Sequence, residues 1–539
     1  MLSTPLWLSA VGPLVLAGVA IFAHCSDRHA VARVNRAALA ASLVALCGAT
    51  LTALAVLVNG KLHTPLIGVG GVGVSLYMDL LSSSIFSLVS FIGVIVVAYS
   101  QNYMAGDPGQ VHFTGTLCAT LSAVLMISLS GNLFLFTLAW IATSILLNRL
   151  LVFYPERQAA ILAARKEFIA SRVGEITLIA ACLIILHVFG SLEYSDIFAG
   201  ARAMHAADNV PASINIVALL LVVTALLKSA QFPFHGWLIE VMETPTSVSA
   251  LLHAGIINAG GFLILRFADF IALSLPALDT LAIIGGFTAL FGSVVMLTQT
   301  SIKVSLAHST VAQMGFMMLE CGLGAFPAAL LHILAHSLYK AHAFLASGSV
   351  IDIARASWTP SPGGKPHRAR LIISIGAVLL VTLVVSRLFG ATITAKPGVF
   401  GLGAVLLLGL VHLIANGIDE RPNFYVVGRT LLLSGLAACG YFGLQFMFEV
   451  VMHNTLPATQ AARGPLGIAI VACVILSFAL VVFLQSLVPR YAREPRYEAL
   501  YAHLANGLYV NTLANRFVLY LWRTPPRAAH STLPSGATL

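Results

Sequence analysis

Charge is scarce in this chain. Aspartate, glutamate, lysine and arginine together make up 9% of 539 residues, against 59% hydrophobic residues. A water-soluble domain carries about a quarter of its residues as charges, so that class is excluded. Cysteine is also sparse: Cys25, Cys47, Cys118, Cys182, Cys321, Cys439 and Cys473 each stand alone. With no CxxC and no Cys/His cluster, no metal site or cofactor is expected in this chain, and the thiols are expected to be free and buried. The alternating ten-residue segments of a membrane β-barrel are missing too. No basic stretch precedes the first apolar run, and the basic cluster follows it. Residues from about Ser3 to Ala23 therefore read as a retained helix and not as a cleaved signal. No hydrolase, kinase or dinucleotide motif is present.

What fills the chain is helix-length apolar runs. About twenty such residues span a bilayer, and about fifteen runs recur, centred near residues 13, 47, 86, 121, 142, 179, 222, 257, 287, 311, 338, 380, 408, 437 and 476. The fold class is all-α, a polytopic membrane protein. The net charge of +9 is concentrated in connections: Arg28, Arg33 and Arg36; Arg157, Arg165 and Lys166; Arg355, Lys365, Arg368 and Arg370; Arg490, Arg493 and Arg496. With an odd number of spans all four groups fall on one side, opposite Glu193, Asp196 and Asp208. The excess of basic residues on the cytoplasmic side then places the N-terminus outside and the C-terminus inside. The segment Ala354–Arg370 reads as a mobile connector. In the tail, Leu500, Leu504, Leu508, Leu513, Phe517 and Leu521 recur at near-helical spacing. This suits a helix on the membrane surface, against a partner, or against the chain's own cytoplasmic face. The last residues, 528–539, read as disordered.

The stretch Leu226–Arg266 organises the rest. An apolar run carries Lys228 near its end and breaks at Pro233. A polar connection holds Glu240, Glu243 and Pro245, and a second run follows with His253 and Gly255. A cation at membrane depth is costly and marks function by default. Half-helices meeting at such a break build ion sites in transporters. Glu175 lies early in the sixth span, where it serves either the ion path or Arg172 nearby. Lys303 and His308 open the tenth span, and Lys303 suits an interfacial position equally. In the eleventh, His332, His336 and Lys340 are four apart and share one face, while His342 lies about 200° away. Asp79 sits at a helix start, where capping alone would account for it. Buried lysine releases its proton more readily, a neighbouring carboxylate restores its hold, and histidine relays protons near neutrality. Such a set of residues suits a proton path.

The motifs KSAQFPFHGWLIEVMETPTSVSALLHAG, DLLSSSIFSLVSFIGVIVVAYSQNYM, SRVGE, SIKVSLAHSTVAQMGFMML and HILAHSLYKAHAFLASGSVI strongly resemble, in order, the antiporter-like proton-translocating subunits of respiratory complex I and of multisubunit cation/proton antiporters. The resemblance covers about residues 70–350. It implies two inverted five-helix repeats, each with a broken helix. It makes Lys228 the seventh-helix lysine of the proton path, continued by His253, Lys303, His332, His336 and Lys340. Domain limits follow: N-terminal helices at 1–110, repeats at 111–270 and 271–420, C-terminal helices at 421–490 and a cytoplasmic amphipathic tail at 491–539. Two positions depart from the pattern. The usual Trp-Glu pair of the fifth span is Trp140-Ile141 here, and Glu175, Glu240 or Glu243 stands in for the lost acid. The twelfth-helix stretch IISIGAVLLVTLVVSRLFG offers only Arg387. These departures, the length and the tail YAHLANGLYVNTLANRFVLYLW look most like the membrane subunit family, DabB, of the energy-coupled inorganic carbon transporter.

That resemblance implies a transporter subunit and not an enzyme. It conducts H⁺ or Na⁺ in the bacterial inner membrane beside a cytoplasmic-side DabA partner, which resembles a zinc-dependent β-carbonic anhydrase and would hold the zinc. The competing expectations are a proton-pumping subunit of a complex I-like or hydrogenase-like redox complex, and a structural anchor whose ion path is dead. The missing fifth-span acid weighs against the first. Lys228 and the His332/His336/Lys340 row weigh against the second.

Overall fold

The computed structural model describes residues 4–207, 210–348, 368–411, 424–459, 464–491 and 494–522. Asp208, most of the connector 354–370 and residues 528–539 lie outside them. The first helices are α1 (Thr4–His24), α2 (Val31–Asn59), α3 (Leu80–Tyr103), α4 (Gln110–Leu129), α5 (Leu133–Leu151) and α6 (Gln158–Phe189). Then come α7 (Tyr194–Ala206), α8 (Ala212–Lys228), α9 (Gly236–Glu240), α10 (Thr246–Ala254), α11 (Ala259–Arg266) and α12 (Ala268–Ile271). The second half holds α13 (Leu275–Met296), α14 (Ile302–Gly322), α15 (Phe326–Leu345), α16 (Arg368–Leu388), α17 (Pro397–Leu408), α18 (Phe424–Met452) and α19 (Gly464–Tyr491). The tail forms α20 (Pro495–Ala505) and α21 (Val510–Leu521). Among the described residues, ten helices are long and apolar enough to cross a membrane, and three shorter apolar helices accompany them. The chain is a multi-pass helical membrane protein.

Close packing rests on small residues, as it must where lipid supplies no hydrophobic drive between helices. On α13 and α14, Gly285 and Gly315 let the backbones touch: a Cβ on Gly315 would lie 2.4 Å from the Ala289 nitrogen, and one on Gly285 2.5 Å from that of Leu319. The span Thr246–Arg266 is wholly surrounded by protein. It is the centre of the bundle.

Both runs of the organising stretch are interrupted. Helix α8 stops at Lys228, earlier than Pro233, and Ala230 adopts a positive φ of 48°. The freed backbone groups find partners, as membrane depth requires: the Phe232 N–H donates to Thr288 Oγ1 at 3.1 Å, and Ser229 Oγ donates to the Ile257 carbonyl at 3.0 Å. The second run breaks at Gly255, with a single 3-10 turn (Ile256–Asn258) between α10 and α11.

Several expectations need correction. The acidic connection after the sixth span contains a helix, α7. Between α2 and α3 lie two small hairpins: β1 (Leu62–His63) pairs with β4 (Tyr77–Met78), and β2 (Ile67–Val69) with β3 (Val72–Val74). Gly70 and Gly71 both have positive φ, as the two central residues of a tight hairpin turn require. Only Cys118, Cys182 and Cys321 are buried. Cys47, Cys439 and Cys473 are exposed on outward faces of apolar helices. The tail is two helices, because Asn506-Gly507 starts a turn in which Gly507, Leu508 and Tyr509 all take positive φ.

Candidate ion path

Lys228 is buried at the C-terminal end of α8, 5% exposed. Its Nζ donates to Ser144 Oγ on α5 at 2.9 Å and lies 5.6 Å from the centre of the Trp140 ring. Two buried carboxylates face it from α6. Glu175 takes a 2.5 Å bond from Arg172, while the Ser144 hydroxyl donates to the Trp140 carbonyl at 3.2 Å. Glu167, 2% exposed, accepts from Ser171 Oγ at 2.5 Å and from Asn148 Nδ2 at 3.3 Å. Both lie on α6, which packs along α8. They are eight residues apart, so they share one face of the helix. Position 141 on α5 holds no acid, and α6 carries two buried carboxylates. Glu167 was not singled out in the sequence, where it follows the basic pair Arg165 and Lys166. The available signal was its spacing from Glu175.

Glu240 goes elsewhere. It pairs with Lys166 at 2.6 Å and accepts from Asn511 and Asn515 of the tail at 2.9 and 2.8 Å. The side chain of Glu243 lies outside the described residues.

The second group runs along α15. His332 Nδ1 lies 3.0 Å from Glu320 Oε2 of α14, and its ring centre is 6.1 Å from that of His336. His253 of α10 stacks on Phe344 at 4.3 Å. All four ring nitrogens of His253 and His336 are buried without a protein hydrogen-bond partner. Lys340, fully buried, donates to the Leu306 carbonyl at 3.0 Å and to Ser309 Oγ. Asn258, at the break, ties the two elements by donating to Ser337 Oγ at 2.8 Å. His342 is exposed, on the other face of α15. Half-buried Lys303 reaches Thr246 Oγ1 at 3.1 Å. His308 is buried, as is His235 in the turn after α8. Glu320 and His235 were not singled out beforehand. Arg387 is exposed near the end of α16, whereas Lys396, just before α17, pairs with Glu449 of α18.

Asp79 does more than cap. It accepts from the Ser82 N–H and also receives both terminal nitrogens of Arg266, at 2.7 and 2.9 Å. Tyr77 and Tyr194 flank the guanidinium at 5.2 and 5.8 Å. Burial and the Asp79 charge push the Tyr77 phenol up to about 12. The pair locks the end of α11 to the start of α3 beside a cavity of about 630 Å³, which lies on the side opposite the C-terminus.

Comparison with known proteins agrees with this architecture. The family described as "NADH:quinone oxidoreductase/Mrp antiporter, TM" matches residues 130–359, and "NADH-Ubiquinone oxidoreductase (complex I), chain 5 N-terminus" matches residues 67–114. The subunit of the Mrp complex from Dietzia sp. superposes over 98% of this chain and 58% of its own length, with a TM-score of 0.56 and 22% identity. A chain of the archaeal membrane-bound sulfane sulfur reductase superposes over 96% of this chain and 99% of its own length, with a TM-score of 0.57 and 16% identity. At that identity the likeness concerns the fold alone. Chain 5 of the NAD(P)H-quinone oxidoreductase of Synechocystis sp. is 36% identical over 51% of this chain and 40% of its own length. The "Probable inorganic carbon transporter subunit DabB2" of Halothiobacillus neapolitanus is 40% identical over 84% of this chain and 82% of its own length. The DabB of Hydrogenovibrio crunogenus is 41% identical over 61% and 68%. On that identity, sustained over more than four fifths of both chains, this chain belongs to the DabB family of inorganic carbon transporter subunits, within the complex I and Mrp antiporter-like membrane proteins.

Proposed function

We propose that this chain conducts protons across the bacterial inner membrane and so energises accumulation of inorganic carbon by a DabA-type zinc partner on the side of its C-terminus. The observation that carries the proposal is Lys228: a buried lysine at a helix break, held by Ser144 and faced by two acids. A membrane protein does not keep such a group without use. The path begins outside at Glu320 and His332, passes His336 and His253, and reaches Lys340. From there it continues by way of His308 to Lys228 and Glu175, with Lys303 toward the cytoplasmic end. No direct hydrogen bond joins His332 to His336, so water carries the proton between them. Glu167 and Glu175 accept what Lys228 releases.

The same reading takes the bundle as about fifteen spans in two inverted repeats, 111–270 and 271–420, with the N-terminus outside and the C-terminus in the cytoplasm. The relatives named as carbon transporter subunits favour it over a redox-pump subunit. The family models and the chain 5 relative keep that second reading in play.

The test is purification in mild detergent, with co-purifying proteins identified and zinc assayed. One large zinc-containing partner supports the proposal, and a set of flavin or iron–sulfur subunits overturns it. Uptake that collapses with a protonophore but survives sodium removal identifies the ion as H⁺. The opposite pattern identifies Na⁺.

A further inference from the structure

The tail presents two unlike edges. On α21, Asn511, Asn515, Val518 and Trp522 turn inward, while Leu513, Phe517, Tyr520 and Leu521 point away from the protein and are 62%, 57%, 66% and 52% exposed. An isolated helix on a water-facing surface would show the reverse arrangement. The inward edge is fitted to its seat. Asn511 and Asn515 bond Glu240, Lys166 donates to Asn511 Oδ1 at 2.6 Å, and a Cβ on Gly236 would lie 2.2 Å from that oxygen. Arg165 stands over the Trp522 ring at 5.7 Å.

The height of the tail decides what covers the outward edge. Gly507 lies against Phe291, five residues from the end of the membrane helix Leu275–Met296, which is about 7 Å inside it. Lys166 lies eight residues, about 12 Å, inside α6. That helix is 32 residues long, about 48 Å, and overruns a hydrocarbon core of about 30 Å. The tail therefore lies flat along the side of the bundle at the depth of the lipid headgroups. Arg165 and the exposed Arg516 supply positive charge at that depth, and Trp522 sits where aromatic belts form.

We infer that α21 is an interfacial strap: its asparagine edge closes over the broken-helix loop, and its apolar edge is seated in the bilayer leaflet on the C-terminal side, against anionic headgroups. The strap does not depend on the ion-path proposal.

Photocrosslinking of the full chain in native membranes tests it, with p-benzoylphenylalanine replacing Leu513, Phe517 or Tyr520 one at a time, and Val518 as the buried control. The expected result is phospholipid adducts at the three outward positions and an internal crosslink at Val518. The same lipid adducts should form with purified chain in vesicles of phosphatidylethanolamine and phosphatidylglycerol. Adducts to another protein at the three positions in native membranes would overturn the inference in favour of a docking surface for a partner. Absence of any adduct there while Val518 still crosslinks would overturn it in favour of a tail exposed to water.

Discussion

Two buried lysines anchor this molecule, and they are built differently. Lys228 is bonded to a hydroxyl, Ser144, beside α6 and its two buried carboxylates, Glu167 and Glu175. Lys340 is bonded to a backbone carbonyl and the Ser309 hydroxyl. The carboxylate of its group, Glu320, stands at the far end of the row beside His332. On the proposed path, a cation with an acid at hand exchanges its proton locally. A cation without one depends on histidines and water. On that path the first site is a local exchange and the second a relay, and they should fail in different ways.

After Lys228 itself, the largest effect is expected at the relay. Lys340 has no neighbouring substitute, so Lys340→Ala should lower inorganic carbon uptake by about 100-fold or more. A positioned group that gives and takes a proton is worth about 100-fold or more in rate. Uptake of labelled bicarbonate, scaled to the amount of chain in the membrane, is the measurement. Next come the two acids. Glu167→Gln and Glu175→Gln should each lower uptake by less than about tenfold, because the other carboxylate remains, while the double variant should approach Lys340→Ala. Non-additivity of this kind marks residues sharing one task, and a cycle of the four chains measures it. Two additive single losses would erase the distinction between exchange and relay. Glu320→Gln should cost an intermediate amount, about tenfold, because His332 loses its charged partner but water still reaches it. Ser144→Ala should be mildest, about fivefold, since one hydrogen bond is worth about 1 kcal/mol and water can replace the hydroxyl.

Much of the candidate row was legible beforehand. His332, His336 and Lys340 recur every fourth residue, and helical periodicity alone brings them onto one face. Lys228 was legible because a lysine in an apolar run is conspicuous. What stayed hidden depends on contacts across the chain. Asp79 and Arg266 are 187 residues apart, and nothing local marks their pairing. Glu320 follows an apolar run and looks like a helix end until α15 folds back beside it. Glu167 was not singled out beside its basic neighbours Arg165 and Lys166. In fact α6 extends past the bilayer, and one face carries both carboxylates inward. Glu240 was weighed as an acid for Lys228, but the tail claims it, and no pattern near residue 240 foretells a partner near residue 511. The turn at Asn506-Gly507 was written in its dipeptide, yet the run of leucines around it suggested one continuous helix.

The measurement that bears most directly on the central claim is uptake of labelled inorganic carbon by cells carrying Lys228→Ala, with the amount of the chain in the membrane and its co-purifying partner shown to be unchanged. If Lys228 is the exchange point of a proton path that drives uptake, accumulation falls to that of cells lacking the chain. If accumulation is retained, the ion does not pass Lys228, and the buried lysine with its two acids is a structural device.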